Sequence, residues 1–202
     1  MRLPAFSLAP ASADASFRRY FRATLTEPWR DADGSQSLIV MDAPPAKEDC
    51  RPFVHVAQLL ADAGVHAPRV LACDIDRGYL LLTDLGTTTY ASALNAQSAP
   101  ALYSAAIDAL ILWQRASREG TLPSYDDALL RRELQLFPDW YVARHLRATL
   151  DARQRATLER VFESVLANNL AQPRVYVHRD YHSRNLMVTA PNPGVLDFQD
   201  AV

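Results

Sequence analysis

The 202-residue sequence predicts an α+β fold in two lobes, a β-rich N-terminal lobe over residues 1–85 and a helical C-terminal lobe over residues 86–202. Three features predict it. Two β-type hairpins flank one helical stretch within the first 85 residues, three amphipathic helical stretches follow, and β-type segments return near the C-terminus around a dense polar motif.

The first hairpin takes residues 16–25 and 36–41, joined by a polar stretch with Pro28, Asp33 and Gly34. A helix follows: Asp49 can cap it, Pro52 suits its first turn, Phe53, Val56, Leu59 and Leu60 recur at helical spacing, and Gly64 supplies a stop. Residues 70–75 and 79–83 make the second hairpin around Asp76-Arg77-Gly78, after which Asp84-Leu85-Gly86 leaves the sheet. Residues 101–117 then carry Leu102, Ala105, Ala106, Ala109, Leu110, Leu112 and Trp113, an apolar face broad enough to be buried. Residues 126–150 form a second helical region with a break expected at Pro138. A third, residues 151–170, has Leu158, Val161, Phe162, Val165 and Leu166 in register. Strand character returns at 175–177, and residues 186–188 and 195–198 pair around Pro191-Asn192-Pro193-Gly194.

Bulk properties exclude several classes. A net charge of −2 with 49% hydrophobic residues offers no basic footprint for nucleic acid and no acidic solvating tail. Pro4 and Pro10 interrupt the N-terminus before an apolar leader could form, and no run approaches the ~18 apolar residues of a membrane span, so a cytoplasmic protein without membrane or obligate protein partner is expected. Cys50 and Cys73 lack metal-type spacing and read as reduced thiols.

The chemistry concentrates in His178-Arg179-Asp180-Tyr181-His182-Ser183-Arg184-Asn185, followed twelve residues after Asn185 by Asp197-Phe198. An Asp can take the proton of an attacking hydroxyl, an Asn five residues on can ligate Mg²⁺ through its amide oxygen, and an Asp on the next strand can hold the same ion under nucleotide phosphates. The H-x-D-x-x-x-x-N spacing arises by chance in about one such chain in a hundred, before the Asp-Phe requirement is added. Asp180 is therefore the candidate catalytic base, and Asn185 and Asp197 the candidate metal ligands. His178 is expected to anchor the loop by hydrogen bonds, since Asp180 already supplies a proton acceptor. Asp200 is read as stabilising the loop, with a reach to the metal as the other reading.

This order of elements resembles the protein-kinase-like fold, and specifically the aminoglycoside phosphotransferase superfamily. The resemblance runs through Ala15-Ser16-Phe17-Arg18-Arg19-Tyr20-Phe21-Arg22, Met41-Asp42-Ala43-Pro44-Pro45, Leu80-Leu81-Leu82-Thr83-Asp84-Leu85-Gly86, Leu136-Phe137-Pro138-Asp139-Trp140-Tyr141 and the motif at residues 178–185. It covers nearly the whole chain and looks closest to the amino-sugar kinases of that superfamily. It implies transfer from ATP, with Mg²⁺, to the anomeric hydroxyl of N-acetylmuramate and N-acetylglucosamine released from peptidoglycan. Another small-molecule kinase of the aminoglycoside and choline group, or a truncated nucleotide-binding module without catalysis, are the competing readings. The sequence stops at Val202, where the superfamily pattern continues through further helices, so the second lobe is expected incomplete and the apolar face of residues 101–117 partly uncovered.

The nucleotide side departs from the protein-kinase pattern, with no G-x-G-x-x-G and with Ile39-Val40-Met41-Asp42 where a phosphate-binding Lys would stand. Arg18, Arg22 and Lys47 are the candidate cations, Arg18 and Arg22 sharing one face of an alternating strand while Arg19 takes the other. The resemblance implies that adenine is read by backbone groups of Thr83, Asp84 and Leu85. For the acceptor sugar, Glu133 can bind hydroxyls and Trp140 or Tyr141 can offer a ring face, while His182 and Arg184 lie within the catalytic motif. Residues 125–160 hold six acidic residues and seven arginines, which suits a neutral or anionic sugar better than a polycation.

Overall fold

The computed structural model describes residues 3–13 and 17–202, so Met1, Arg2 and the Asp14-Ala15-Ser16 entry to the first expected hairpin lie outside the described residues. Two compact units are formed, one of Met1–Ser117 with Tyr176–Ala201 and one of Arg118–Val175 with Val202.

The first unit is built on five antiparallel strands, β1 (Phe6–Ala13), β2 (Arg19–Trp29), β3 (Ser35–Asp42), β4 (Val70–Asp74) and β5 (Tyr79–Thr83), in the order β1-β2-β3-β5-β4. The pairs β2–β3 and β4–β5 are the two expected hairpins. Strand β1 has no counterpart in the sequence reading, because Phe6 and Leu8 on this edge strand are exposed and no alternating burial marks it. Pro10 sits where its register shifts, a position an edge strand tolerates. Ala23, Leu25 and Trp29 of β2 are buried with Ala32 and Leu38, and Leu3, Val40, Leu71 and Leu81 pack against them. Alternation sends Ile39, Met41, Leu80 and Leu82 to the opposite face, paired as Ile39 with Leu82 and Met41 with Leu80.

Helix α1 (Arg51–Asp62) buries Phe53, Val56, Ala57 and Leu60, one apolar stripe. Asp49 Oδ1 accepts the Arg51 N–H at 2.9 Å, and the helix closes at Gly64, φ +76°, with the Val65 N–H on the Leu60 carbonyl at 2.9 Å. After β5 come the single turn α2 (Tyr90–Ala93), capped by Thr89, and α3 (Ala99–Arg115). Helix α3 buries Ala106, Ala109 and Trp113 but leaves Tyr103, Ile107, Ile111 and Leu112 exposed, so its apolar face is wider than its cover. Residues 175–177 form no strand. The Tyr176 N–H donates to Ser117 Oγ at 2.7 Å instead of to a neighbouring strand. The last sheet is a two-residue ladder of β6 (Leu186–Met187) and β7 (Gly194–Val195).

The second unit holds α4 (Asp127–Leu136), a π-helix (Phe137–His145) and α5 (Ala152–Leu170). The break expected at Pro138 is a change of helix type: proline brings no N–H, and the ladder resumes with wider turns, such as the Leu146 N–H on the Tyr141 carbonyl at 2.9 Å. Asp151 and Gln154 form a capping box at the start of α5, with bonds of 2.8 and 2.9 Å. Arg131 bridges Asp127 and Glu163 at 2.7 and 2.9 Å, and Leu130, Val142, Phe162 and Leu166 are buried. No helix of the described residues is long and apolar enough to cross a membrane.

One glycine is dictated by space and backbone together. Gly78, at φ +75°, ends the β4–β5 turn, gives its carbonyl to the Ala43 N–H at 2.8 Å, and would place a Cβ 1.9 Å from the Ala43 oxygen. Gly78→Ala should lower the unfolding free energy by about 3 kcal/mol, from left-handed strain plus a clash with fixed backbone, as read by urea unfolding. A loss under ~1 kcal/mol would mean that the turn relaxes freely.

Candidate active site

The loop from His178 to Asn185 is held from below by a buried histidine. His178 Nε2 donates to the Leu196 carbonyl at 3.0 Å, and because a carbonyl can only accept, this fixes the tautomer. Nδ1 is buried without a hydrogen-bond partner, and burial holds the imidazole below its ordinary value of 6.5 against the opposing pull of the Leu196 carbonyl. Tyr181 packs edge-on against this ring at 5.5 Å and donates its hydroxyl to the Ala106 carbonyl of α3 at 2.7 Å. Burial pushes the Tyr181 phenol up, so it stays a donor.

Above this anchor the backbone folds on itself. The His182 N–H donates to the Asp180 carbonyl at 3.0 Å, the Asn185 N–H to the His182 carbonyl at 2.9 Å, and the Leu196 N–H to the Asn185 carbonyl at 2.9 Å. Arg179 and Asp197 both adopt left-handed backbone, φ +72° and +60°, which turns each chain segment sharply where the reactive side chains are presented. Asn185 joins them: its Nδ2 donates to the Asp180 carbonyl and to Asp197 Oδ2, each at 3.0 Å. Gln199 Nε2 donates to Asp197 Oδ1 at 2.9 Å, and Arg179 Nη1 reaches the Asp200 carbonyl at 3.3 Å. Thus Asp180, Asn185 and Asp197 are brought into one hydrogen-bonded cluster. The Asp180 carboxylate is exposed and takes no hydrogen bond among the described residues. His182 and Arg184 lie on the same loop, exposed.

Among the described residues no group of three or more His, Cys, Asp or Glu side chains stands ready to hold a metal alone. The donors that do converge are all hard oxygens. With Nδ2 of Asn185 turned to two acceptors, Oδ1 is the amide atom left for a cation, and Asp197 retains lone pairs on both oxygens. That set fits Mg²⁺, which keeps several waters and takes one or two protein oxygens beside phosphate oxygens.

The linker after β5 is set by Asp84. Arg22 Nε and Nη2 donate to its carboxylate at 2.5 and 3.1 Å, Ser37 Oγ donates to it, and the Gly86 N–H reaches it at 2.9 Å. Burial opposes the charge, but the hydrogen bonds from Arg22, Ser37 and Gly86 outweigh it and hold the carboxyl below its ordinary value of 3.8. Arg22 Nη2 also donates to the Gly86 carbonyl at 2.9 Å, so its guanidinium is committed to the linker. The Leu85 N–H has no protein acceptor among the described residues. Thr83, Asp84 and Leu85 also line an open cavity of about 480 Å³ with His66, Arg69 and Thr189. The β6–β7 hairpin approaches the linker at Gly194, where a Cβ would lie 2.8 Å from Leu85 Cδ1.

Of the other expected cations, Arg18 lies just before β2 and pairs with Glu48 at 3.0 Å, with side chains only 11% and 13% exposed. The Phe17 N–H donates to the other Glu48 oxygen at 3.2 Å, and Lys47 Nζ sits 4.1 Å over the Phe17 ring. Arg19 bonds Asp42. In the second unit the Glu133 carboxylate accepts the Tyr125 hydroxyl, and the exposed Trp140 ring carries the Arg144 guanidinium at 4.2 Å. Phe137, Tyr141 and His145 stack in series at 5.5 Å along the π-helix. Sequence reasoning missed Ser37, Glu48, Tyr181 and Gln199, and the Asp84 side chain. Only Asp84 leaves a signal, a charge separated by Thr83 alone from the apolar run Leu80-Leu81-Leu82.

Residues 7–202 match the phosphotransferase enzyme family known as APH. The chain is 56% identical over 200 residues to the N-acetylmuramate/N-acetylglucosamine kinases of Pseudomonas aeruginosa and Pseudomonas putida, covering 99% of itself and 57% of each relative. It therefore spans little more than half the length of these relatives. Among solved structures, the aminoglycoside phosphotransferase APH(2")-IIa in its streptomycin and ATP complex superimposes with a TM-score of 0.62 at 15% identity, over 96% of this chain and 66% of that one. A choline/ethanolamine kinase family protein from Mesorhizobium loti gives 0.58 at 16% identity, over 96% and 58%. These likenesses show the expected kinase-like α+β fold.

The shifts at His178 and Asp84 have the same sign for stability. A folded-state value below the ordinary one means that the unfolded chain binds the proton more readily, so each contribution is full above the ordinary value and is lost as pH falls through the folded one. Urea unfolding should show stability declining as pH drops from about 7 to about 5, with a shallower slope in His178→Asn. A second decline below about pH 4 should shrink in Asp84→Asn. Parallel pH profiles for wild type and variants would refute both assignments.

Proposed function

The chain belongs to the phosphotransferase enzyme family, and on that premise we propose that it carries the catalytic centre of an ATP-dependent kinase acting on the anomeric hydroxyl of N-acetylmuramate and N-acetylglucosamine, in the recovery of peptidoglycan sugars. The observation that carries the reaction is the clasp of Asn185 on the Asp180 carbonyl and the Asp197 carboxylate, which gathers a proton acceptor and two oxygen ligands in one hydrogen-bonded cluster. The substrate class comes from the two relatives at 56% identity.

Asp180 presents an exposed carboxylate to the acceptor hydroxyl, orients it, and takes its proton late, as a loose transition state requires. Asp197 and Asn185 offer oxygens to Mg²⁺, which when bound supplies charge neutralisation across the phosphates. His178 and Tyr181 keep the loop in place, one through the Leu196 carbonyl and the other through Ala106. The backbone of Thr83, Asp84 and Leu85 receives the adenine, with the Leu85 N–H as the available donor. Arg18 and Lys47 serve the phosphate side, and Arg22 serves the nucleotide by fixing the linker through Asp84. Glu133, Trp140, His182 and Arg184 are assigned to the sugar. In this reading residues 1–85 bind nucleotide, residues 86–202 carry catalysis and acceptor, and the protein works in the cytoplasm without a membrane or nucleic-acid partner.

Incubation with Mg-ATP and a panel of N-acetylated amino sugars, aminoglycosides and choline should give phosphorylation of the amino sugars at the anomeric position, seen by ³¹P NMR. Transfer only to aminoglycosides or choline would sink the sugar assignment. Asp180→Asn should lower turnover by roughly 10³-fold with nucleotide affinity nearly unchanged. Retained turnover would remove Asp180 from the mechanism.

A further inference from the structure

Gln199 stands two residues beyond Asp197 and is buried, 8% exposed. Its amide NH₂ donates to Asp197 Oδ1 at 2.9 Å and reaches Asp200 Oδ2 at 3.5 Å. Carboxylates accept only, so the amide can face them with nitrogen alone. On the other side, Asn185 Nδ2 donates to Asp197 Oδ2 at 3.0 Å. The carboxylate is thus gripped at each oxygen by a separate amide, on a residue already turned by its left-handed backbone, φ +60°.

Packing does not account for a glutamine here. Gln199 Oε1 is buried with no hydrogen-bond partner, an arrangement that disfavours the folded state. A Met or Leu of similar volume would fill the space without an orphaned acceptor. What those residues could not provide is the donor to Asp197.

We infer that Gln199 is a positioning residue, which with Asn185 fixes the direction in which the Asp197 carboxylate meets a divalent cation. The inference rests on the phosphotransferase reading of Asp197. Without the Gln199 NH₂ group, Oδ1 is released, the carboxylate is held at one oxygen only, and Asn185 loses an ordered acceptor.

Gln199→Met and Gln199→Leu test this with Mn²⁺ as the probe ion, titrated in the presence of ADP and followed by electron paramagnetic resonance. Both variants should unfold at the wild-type midpoint or above it, bind Mn²⁺ about tenfold more weakly, and, without metal, show faster solvent exchange of the Asn185 side-chain NH₂ in NMR spectra. In wild type the Gln199 NH₂ protons should be protected. A lowered midpoint with unchanged Mn²⁺ affinity would make Gln199 a structural residue and overturn the inference, as would free-amide exchange of Gln199 in wild type. If wild type itself binds no Mn²⁺ with ADP, the phosphotransferase reading fails, and Asn185 exchange in the metal-free variants still decides whether Gln199 positions Asp197.

Discussion

The carboxylate of Asp84 joins three parts of the first unit at one point. Arg22 reaches it from β2, Ser37 from β3, and the Gly86 N–H from the linker itself. Each contact alone is ordinary, but together they fix where the sheet ends and in what direction the chain leaves it. The pair is part-buried, with the Arg22 side chain 26% exposed, so losing one charged partner disfavours the fold by about 1–3 kcal/mol, still a sizeable share of the ~5–15 kcal/mol that a domain possesses. The linker is therefore set by electrostatics made elsewhere in the sheet, which leaves the Leu85 N–H uncommitted.

A comparable economy governs the catalytic loop. Two residues with side chains adopt left-handed backbone, at ~1–2 kcal/mol each, and the strain persists because neighbours over-determine it. His178 ties the loop to Leu196, Tyr181 ties it to α3, and the Ser183 carbonyl accepts the Ala91 N–H at 2.9 Å. A neutral, buried imidazole suits this work, since it donates one bond without asking the interior to hold a charge.

The parts legible in the sequence are those written in local periodicity. Hairpin, helix and hairpin could be read because Phe53, Val56 and Leu60, or Leu80 and Leu82, repeat at the period of their element. Asp180, Asn185 and Asp197 could be read because their spacing is itself the chemistry. Strand β1 could not, since an edge strand that exposes Phe6 and Leu8 carries no burial pattern. Residues 175–177 looked like a strand because valines flank Tyr176, but β-propensity without a partner makes no ladder. The contacts that hold the site were beyond reach for a different reason. Arg22 and Asp84 are 62 residues apart, and Tyr181 and Ala106 are 75 apart, so nothing local announces either pair.

Gly194 and Leu85 show how such distant pairs restrict what the chain can become. The glycine lacks a side chain where the leucine methyl already fills the space, 2.8 Å from the place a Cβ would take. A methyl gained at 194 requires the Leu85 side chain to swing aside and Thr189, whose side-chain atoms lie at 3.1 and 3.2 Å, to give way beside it. A substitution at the hairpin that presents Asp197 is thus felt at the linker, through the side chain of Leu85.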